Sequence, residues 1–305
     1  MLTPLLEDPA VDRLIVVDDA EEGGGGGSLG LSDTQLPDRV EVYPTGGVGP
    51  ALARQAGAEK ASADVLLFVD DDVVPDPGLA TKHAAHHEER SKLLVCGYTP
   101  VEPTNGGQLS PEARVYGASY EKRCREYELD PEDVLTHLWG GNFSLPREDA
   151  IAVGLASPRF LESWHEDRDF GLRCRAAGLS AIFDRSLRAG HQYQRAWPEV
   201  RRESYCRGYS LAVLHEVHKD TIAPFDARYF ERDRAWLLRW VVRACSRDGG
   251  SSLAARGLYL VRQVGGKLHL LKMQLLSVRA LRLLQSAAGA RDAVDSRPKR
   301  AQPEG

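Results

Sequence analysis

An apolar run that leads directly into three carboxylates constrains this chain more than any other feature. Residues 65–69 read Val-Leu-Leu-Phe-Val, and Asp70, Asp71 and Asp72 follow them. The run is short, β-branched at both ends and bounded by polar and Pro-Gly segments, which is typical of a central parallel strand. Three adjacent acids repel one another unless a cation offsets their charge. The stretch therefore predicts either a Mg²⁺ or Mn²⁺ site for a phosphate-bearing ligand at a sheet edge, or a solvated acidic turn.

Alternating strand and helix patterns surround this run. Short apolar segments predict strands, and segments with helical spacing or capping residues predict the helices between them. The predicted strands are 14–17, 40–43, 65–69, 93–98, 138–146 and 180–183, and the predicted helices are 51–61, 79–90 and 163–178. Such alternation predicts an α/β fold with a doubly wound, largely parallel sheet. The glycine run at 23–27 predicts a mobile loop, and the pattern over 199–284 is mostly helical.

Charge and cysteine usage limit the classes of function. The formal charge of −5 combines a net +7 over residues 251–305 with −12 over residues 1–250. The acidic body argues against nucleic acid as a partner, and the basic end suits anionic lipid or a protein partner. Five widely spaced cysteines without a Cys-x-x-Cys pair indicate reduced thiols. Since the chain has no signal-peptide pattern and no long apolar run, we predict a cytoplasmic protein.

A second group of carboxylates lies at the predicted start of the 163–178 helix. Glu166, Asp167 and Asp169 fall within one helical turn. Such acids can simply stabilise the positive end of the helix dipole. Together with the 70–72 triplet they also suit metal-assisted transfer of a group that leaves as a diphosphate. A carboxylate bound to the cation is a poor base, so a separate carboxylate must accept the proton.

Six motifs occur in a fixed order along the chain. They are Ile15-Val-Val-Asp-Asp19, Ala53-Arg54 within 49–57, Leu67-Phe-Val-Asp-Asp-Asp72, Gly141-Asn142, Glu166-Asp167 with the helix to Gly178, and His191. In this order and spacing they resemble family 2 glycosyltransferases of the GT-A fold. The resemblance implies a metal-dependent, inverting glycosyltransferase with Mn²⁺ or Mg²⁺ as cofactor. Its donor would be a nucleotide-diphosphate sugar, UDP-linked, and it would transfer a hexosyl or N-acetylhexosaminyl group to a hydroxyl or amine. The resemblance covers a catalytic domain over 1–215. Beyond it, the pattern of the sequence predicts a helical extension over 216–288 and a disordered tail over 289–305.

The resemblance assigns roles on the donor side of the site. Asp19 and Arg54 contact the nucleoside base. Asp70 and Asp72 form the family's Asp-x-Asp element, with Asp70 at the donor and both acids as metal ligands. His191 is a further metal ligand, although a lone histidine near a strand end can equally be structural.

The acceptor side carries the predicted catalytic residues. The resemblance makes Asp167 the general base, and Glu166 orients the acceptor or Asp167. A tryptophan face packs well on the C–H surface of a sugar, and a glycine pair lets a ligand approach the backbone. The predicted acceptor and sugar contacts are Trp139, Gly141, Asn142 and Trp164.

The chain departs from the family at its start. Family 2 enzymes open with a β-strand and a turn that hold the nucleotide, whereas residues 1–13 have a helical pattern. Either the true start lies upstream of Met1, or part of the nucleotide site is missing. In the second case the donor binds weakly, another chain covers the sheet edge in a homo-oligomer, or the protein is inactive.

Two other functions fit parts of the pattern. Residues 68–74 also fit the Asp-x-Asp loop of haloacid-dehalogenase-type phosphatases, with Asp70 as nucleophile and Asp72 as general acid. That loop lacks its usual Ser/Thr, Lys and acidic partners here. The missing first strand instead favours a non-catalytic protein that binds a sugar nucleotide or carbohydrate.

The basic segment 253–284 has its own alternatives. It predicts an amphipathic helix that Gly265 and Gly266 interrupt. Such a helix either packs on the catalytic domain or a second subunit, or lies on the inner face of the membrane as a peripheral contact.

Overall fold

The computed structural model describes residues 2–20, 37–88, 90–160, 164–226, 229–230, 239, 242–243 and 250–296. These residues form two compact units. The first holds the described residues of 2–109, 116–160 and 166–193, and the second holds those of 110–115, 164–165 and 194–296. The predicted glycine loop at 23–27 lies outside the described residues.

The first unit contains two sheets. Strands β1 (Leu14–Asp18) and β2 (Val40–Pro44) form a parallel pair. The other sheet has the strand order β3-β6-β5-β7-β4. Its strands are β3 (Val65–Val69), β4 (Val73–Pro75), β5 (Leu93–Tyr98), β6 (Asn142–Pro146) and β7 (Ser180–His191).

The predicted α/β class is confirmed, but the larger sheet is mixed rather than largely parallel. Among the described strands of this sheet, β5 and β7 pair in parallel, whereas the pairs β3–β6, β5–β6 and β4–β7 are antiparallel. Parallel neighbours need a long crossover, and only residues 70–72 separate β3 from β4. β4 therefore cannot continue beside β3 in the same direction, and it pairs with the far end of β7.

β7 is also longer than predicted. The expected strand ended at residue 183, but the strand continues through polar residues to His191. Its first half pairs with β5 and its last three residues pair with β4. Pairing with two different strands, β5 and then β4, thus accounts for the length of β7. An apolar sequence pattern does not indicate such pairing.

Helices connect the strands of the first unit. α2 begins at Pro50 after Gly49, whose φ of +92° suits glycine, and it carries Arg54. α3 ends at Ala85 rather than at the predicted residue 90, because the next amides bond three residues back and tighten the last turn. The helices are α1 (Thr3–Leu6), α2 (Pro50–Lys60), α3 (Leu79–Ala85), α4 (Pro111–Leu129), α5 (Asp133–Thr136), α6 (Arg147–Val153) and α7 (Glu166–Ala176).

The core of the first unit lies where the middle strands meet the helices. It joins apolar residues of β5 and β6 to residues of α4, α5 and α7. Phe68 of β3 stacks on Phe143 of β6 with ring centroids 4.8 Å apart. These contacts hold the ends of β3 and β6 together, and that is where the carboxylate triplet begins.

The second unit is helical, which confirms the predicted C-terminal helical region. It contains α8 (Trp197–Val217), α9 (Gly250–Lys267) and α10 (Leu271–Asp295). α9 ends just after the predicted glycine interruption, and α10 runs past residue 289, where the polar tail was expected to begin. α8 continues across residue 215, where the catalytic domain was predicted to end, and the position of that domain boundary stays a prediction. Among the described residues, none of the helices has both the length and the apolar character needed to cross a membrane.

Replacing Gly208 by alanine should lower the free energy of unfolding by about 1–3 kcal/mol. An added Cβ would lie 1.9 Å from the Ser286 carbonyl oxygen, so α8 and α10 would have to move apart. Gly257→Ala is the matched control, because its Cβ meets nothing within 4 Å and alanine favours the helix. Urea unfolding should show opposite shifts for the two variants, and equal midpoints would contradict this close helix contact.

Candidate active site

The carboxylate triplet lies beside the start of β6. The Asp70 amide donates a hydrogen bond to the Gly141 carbonyl oxygen, with a distance of 3.2 Å. The Asp70 side chain accepts from Arg54 of α2, whose Nη2 lies 2.6 Å from Oδ1. A protein cation therefore already offsets part of the charge of the triplet.

Arg54 connects this triplet to the second group of acids. Its Nη1 lies 3.7 Å from Oε1 of Glu166, the first residue of α7. Burial lowers the pKa of the Arg54 guanidinium, but the carboxylates of Asp70 and Glu166 raise that pKa by more. The group thus stays charged and binds two acids that lie almost a hundred residues apart in the chain. Its predicted contact with the nucleoside base stays a prediction.

Glu166 and Asp167 differ in their surroundings. Burial and the adjacent Asp167 raise the pKa of Glu166 to about 7, although Arg54 acts in the opposite direction. The Asp167 carboxylate accepts hydrogen bonds from the Gly140 amide at 3.2 Å and the Arg168 amide at 2.8 Å. These bonds fix its position. Glu166 and Asp167 line a small cleft together with Arg54, and the other walls include Leu138, Phe143 and Phe170.

The structure brings the predicted metal ligands Asp72 and His191 together. Oδ2 of Asp72 lies 3.3 Å from Nε2 of His191. The Asp72 carbonyl oxygen also accepts a hydrogen bond of 2.8 Å from the amide of Gln192. This pairing follows from the β4–β7 ladder, in which Val73 lies opposite His191.

These residues fit a divalent cation only in part. Among the described residues, no three His, Cys, Asp or Glu side chains are arranged to hold a metal ion. Asp70 is bound to Arg54, which leaves Asp72 and His191 as the neighbouring pair. Mg²⁺ and related ions in phosphate-transfer sites often take only one or two protein ligands, because phosphate oxygens and water supply the rest. The residues therefore fit a cation that binds together with a diphosphate, and not a cage made by protein alone.

Asp19 is engaged by the loop that enters α2. Its carboxylate accepts from the Thr45 hydroxyl at 2.6 Å and from the Val48 and Gly49 amides at 2.7 and 2.8 Å. Burial raises the pKa of Asp19, but these hydrogen bonds lower it more, so the pKa lies below its usual range. Asp19 thus holds the loop to the end of β1. Its predicted contact with the nucleoside base stays a prediction.

Asn142 corrects the prediction of a sugar contact. Its side chain is 0 % exposed, and its Nδ2 donates to the Leu187 carbonyl oxygen at 2.9 Å. Oδ1 lies 3.0 Å from Nε2 of His83. Both the nitrogen and the oxygen of the amide are therefore engaged inside the sheet, because β6 is a central strand with buried side chains on both faces. Gly141 is buried as well, and its carbonyl oxygen supports Asp70.

The two predicted tryptophans lie in different units. Trp139 belongs to the first unit, and its indole N–H donates to the Tyr116 hydroxyl at 2.8 Å. Trp164 belongs to the second unit and is 39 % exposed. Their roles as sugar-stacking residues stay predictions.

An aromatic group next to His191 was missed from the sequence. Tyr116 stacks on Tyr193 with ring centroids 4.2 Å apart, and both contact the His191 ring edge to face. Tyr120, one helical turn after Tyr116, contacts Trp139 in the same way. The spacing of Tyr116 and Tyr120 on one face of α4 was the available signal. These rings leave His191 little rotational freedom, which favours a fixed imidazole.

The fold and the site together define an α/β protein with two groups of acids that one arginine joins. Residues 3–153 match the family described as glycosyl transferase family 2. The predicted resemblance to family 2 glycosyltransferases is therefore confirmed over these residues, which make up just under half of the chain. Glu166, Asp167 and His191 lie beyond the matched residues.

Individual relatives are distant. The chain is 25 % identical over 187 residues to the uncharacterized glycosyltransferase YfnE of Bacillus subtilis (strain 168), covering 47 % of this chain and 48 % of the relative. A crystal structure of GalNAc-T7 with UDP, GalNAc and Mn²⁺ is similar with a TM-score of 0.47 at 14 % identity, covering 73 % of this chain and 48 % of that one. The S. aureus TarS 1-349 complex with UDP-GlcNAc has a TM-score of 0.45 at 12 % identity, with coverage of 98 % and 88 %. The chain thus spans about half the length of the curated relative it matches.

Proposed function

We propose that the protein is a metal-dependent, inverting glycosyltransferase that uses a nucleotide-diphosphate sugar. The donor is UDP-linked by family resemblance, the transferred group is hexosyl or N-acetylhexosaminyl, and the acceptor is a hydroxyl or an amine. One observation carries the proposal: the Arg54 guanidinium lies 2.6 Å from Asp70 and 3.7 Å from Glu166. The guanidinium holds Asp70, which belongs to the proposed diphosphate site, close to Glu166, which lies beside the proposed general base. Sugar transfer needs both groups around one substrate.

Each of the site residues has a separate role in the proposed reaction. The acceptor atom attacks the anomeric carbon from the face opposite the diphosphate, and the bond to the diphosphate oxygen breaks with its electron pair. Asp167, held by the Gly140 amide, accepts the proton of the acceptor. Because its pKa is raised to about 7, Glu166 is partly protonated near neutral pH, and in that form it can donate a hydrogen bond that orients the acceptor or Asp167. Asp72 and His191 would hold Mn²⁺ or Mg²⁺, and the bound cation would supply charge neutralisation for the diphosphate.

A non-catalytic sugar-nucleotide-binding protein is the second candidate. The Arg54–Asp70 ion pair favours it, because this pair satisfies Asp70 without a metal ion. Release of nucleoside diphosphate from UDP-sugars in the presence of Mn²⁺ and a mixture of acceptors separates the two functions. Phosphate release from simple monoesters would instead favour the haloacid-dehalogenase-type phosphatase.

We also place the protein in the cytoplasm. Cys96, Cys124, Cys174 and Cys206 are free thiols. Disulfides are rare in the reducing cytosol, so this supports the proposed location.

UDP together with Mn²⁺ should raise the melting temperature of the protein, and Asp72→Ala should remove most of the shift that depends on Mn²⁺. The variant loses one of the two side chains that can bind the cation, so affinity should fall about 10- to 100-fold, as for other disrupted metal sites. Asp64→Ala is the matched control, because this exposed acid lies at the other end of β3. If no nucleotide stabilises the wild-type protein, the proposed donor site is wrong.

A further inference from the structure

An exposed apolar ridge runs along α9 and onto the start of α10. Leu253 is 69 % exposed, Leu260 65 % and Leu276 63 %. Residues 253, 260 and 264 follow helical spacing, so their side chains lie on one face of α9, and Leu268 follows in the turn after the helix. The ridge consists of Leu253, Leu260, Val261, Val264, Leu268, Leu270, Leu271 and Leu276.

The opposite face of α9 accounts for the stability of the helix within the second unit. Ala255 is buried in a cluster with Trp197, Val278 and Leu281. Arg262 on that side forms an ion pair with the buried carboxylate of Glu112. The ridge is therefore additional to the core of this unit, and among the described residues its side chains stay accessible.

The charges around the ridge have one sign. Residues 250–291 contain seven Lys and Arg but neither Asp nor Glu. Glu112 offsets Arg262, whereas Arg256, Lys267, Lys272 and Arg279 are exposed beside the ridge. An apolar stripe flanked by exposed cations matches a surface that is apolar inside and anionic outside, which describes an anionic lipid bilayer.

A cavity between α8 and α9 adds a place for a lipid phosphate. It has a volume of about 710 Å³, and its walls include Trp197, Tyr259 and Leu260. Arg201 and Arg256 also line it. Since Leu260 and Arg256 belong both to the cavity and to the helix that carries the ridge, a headgroup there would be continuous with acyl chains along the ridge.

We infer that α9 and the start of α10 lie on an anionic membrane surface, with the ridge at the acyl boundary and the α8–α9 cavity around a lipid phosphate. The inference goes beyond sugar transfer and does not depend on it. A second copy of the chain fits this face less well, because a twofold contact would bring the same basic side chains face to face.

The test is flotation of the full chain with vesicles. Vesicles of phosphatidylcholine with a third phosphatidylglycerol should bind the protein, pure phosphatidylcholine should bind at least tenfold less, and high salt should weaken binding. Leu260→Asp with Val264→Asp should reduce binding at least tenfold. Leu129→Asp is the matched control, because this leucine is 87 % exposed in the first unit. Circular dichroism melting checks that each variant is folded.

Three results would overturn the inference. The first is equal binding to neutral and anionic vesicles, and the second is full binding by the folded ridge variant. The third is no binding to anionic vesicles. A dimer in sedimentation velocity that the ridge substitutions dissociate would then show that the face binds a second copy. Arg256→Glu gives an independent measurement, because it should weaken binding to anionic vesicles while leaving the ridge intact.

Discussion

Replacing Asp167 by asparagine should lower the rate of sugar transfer by about 10²–10⁴-fold, which is the range that a general base contributes. Asparagine has nearly the same shape, and its carbonyl oxygen can still accept from the Gly140 amide, as Asp167 does at 3.2 Å, although its NH2 group replaces the oxygen that accepts from the Arg168 amide. It cannot take the proton of the acceptor. The loss should therefore appear in kcat, while the dissociation constant for UDP should change less than about threefold.

The measurement needs both readouts on the same sample. Initial rates of UDP release with acceptor give the chemistry, and calorimetric titration with UDP and Mn²⁺ gives donor binding. Glu148→Gln is the control, because this exposed glutamate lies in the first turn of another helix, α6. Full activity in the Asp167 variant would remove Asp167 from the base role. Loss of UDP binding along with activity would mean instead that the residue maintains the site.

The carboxylates were found from sequence because each follows a recognisable local signal. The 70–72 triplet comes directly after an apolar strand, and Glu166 and Asp167 open a helix in both prediction and structure. The prediction that Asp72 and His191 act together came from family resemblance. In the structure the pairing of β4 with β7 brings the two side chains together. Local sequence patterns were thus sufficient to locate a site residue when its position at the end of a strand or the start of a helix places it in the site.

Long-range pairing accounts for what the sequence did not reveal. Arg54 was expected at the nucleoside base, and nothing in α2 indicates that its guanidinium reaches both Asp70 and Glu166. Strand direction depends on which strands become neighbours, so the mixed sheet was missed. The predicted sugar contact of Asn142 has a related explanation. A polar side chain in a strand can form its hydrogen bonds with buried partners that are distant in sequence, such as His83.

Replacing Arg54 by methionine should lower the free energy of unfolding at pH 8 by on the order of 2–4 kcal/mol, which is less than for a fully buried ion pair because these side chains are partly exposed. Methionine keeps much of the length of the side chain but leaves Asp70 and Glu166 without their shared cation. Arg175→Met is the matched control, because Arg175 is exposed in the last turn of α7. Urea unfolding without added metal gives the comparison.

The deficit of the Arg54 variant should depend on pH in a defined direction. Burial and Asp167 raise the pKa of Glu166 to about 7 in the folded protein, and Arg54 opposes that rise. A carboxyl with a raised pKa stabilises the fold while it is protonated, and this contribution is lost as the pH rises through the folded-state pKa. Without Arg54 the pKa of Glu166 rises further, so the deficit should be smaller at pH 5, where the variant loses mainly the pair with Asp70, and largest above pH 7.

Adding Glu166→Gln to the Arg54 variant should restore part of the stability at pH 8, because the amide carries no charge to leave unpaired. The double-mutant cycle then isolates the coupling between the two side chains from the packing that methionine changes. A deficit that is the same at pH 5 and pH 8, or a double variant no more stable than Arg54→Met, would mean that Arg54 stabilises the fold without its pair to Glu166. In that case the guanidinium would not be the group that holds the two acid clusters together.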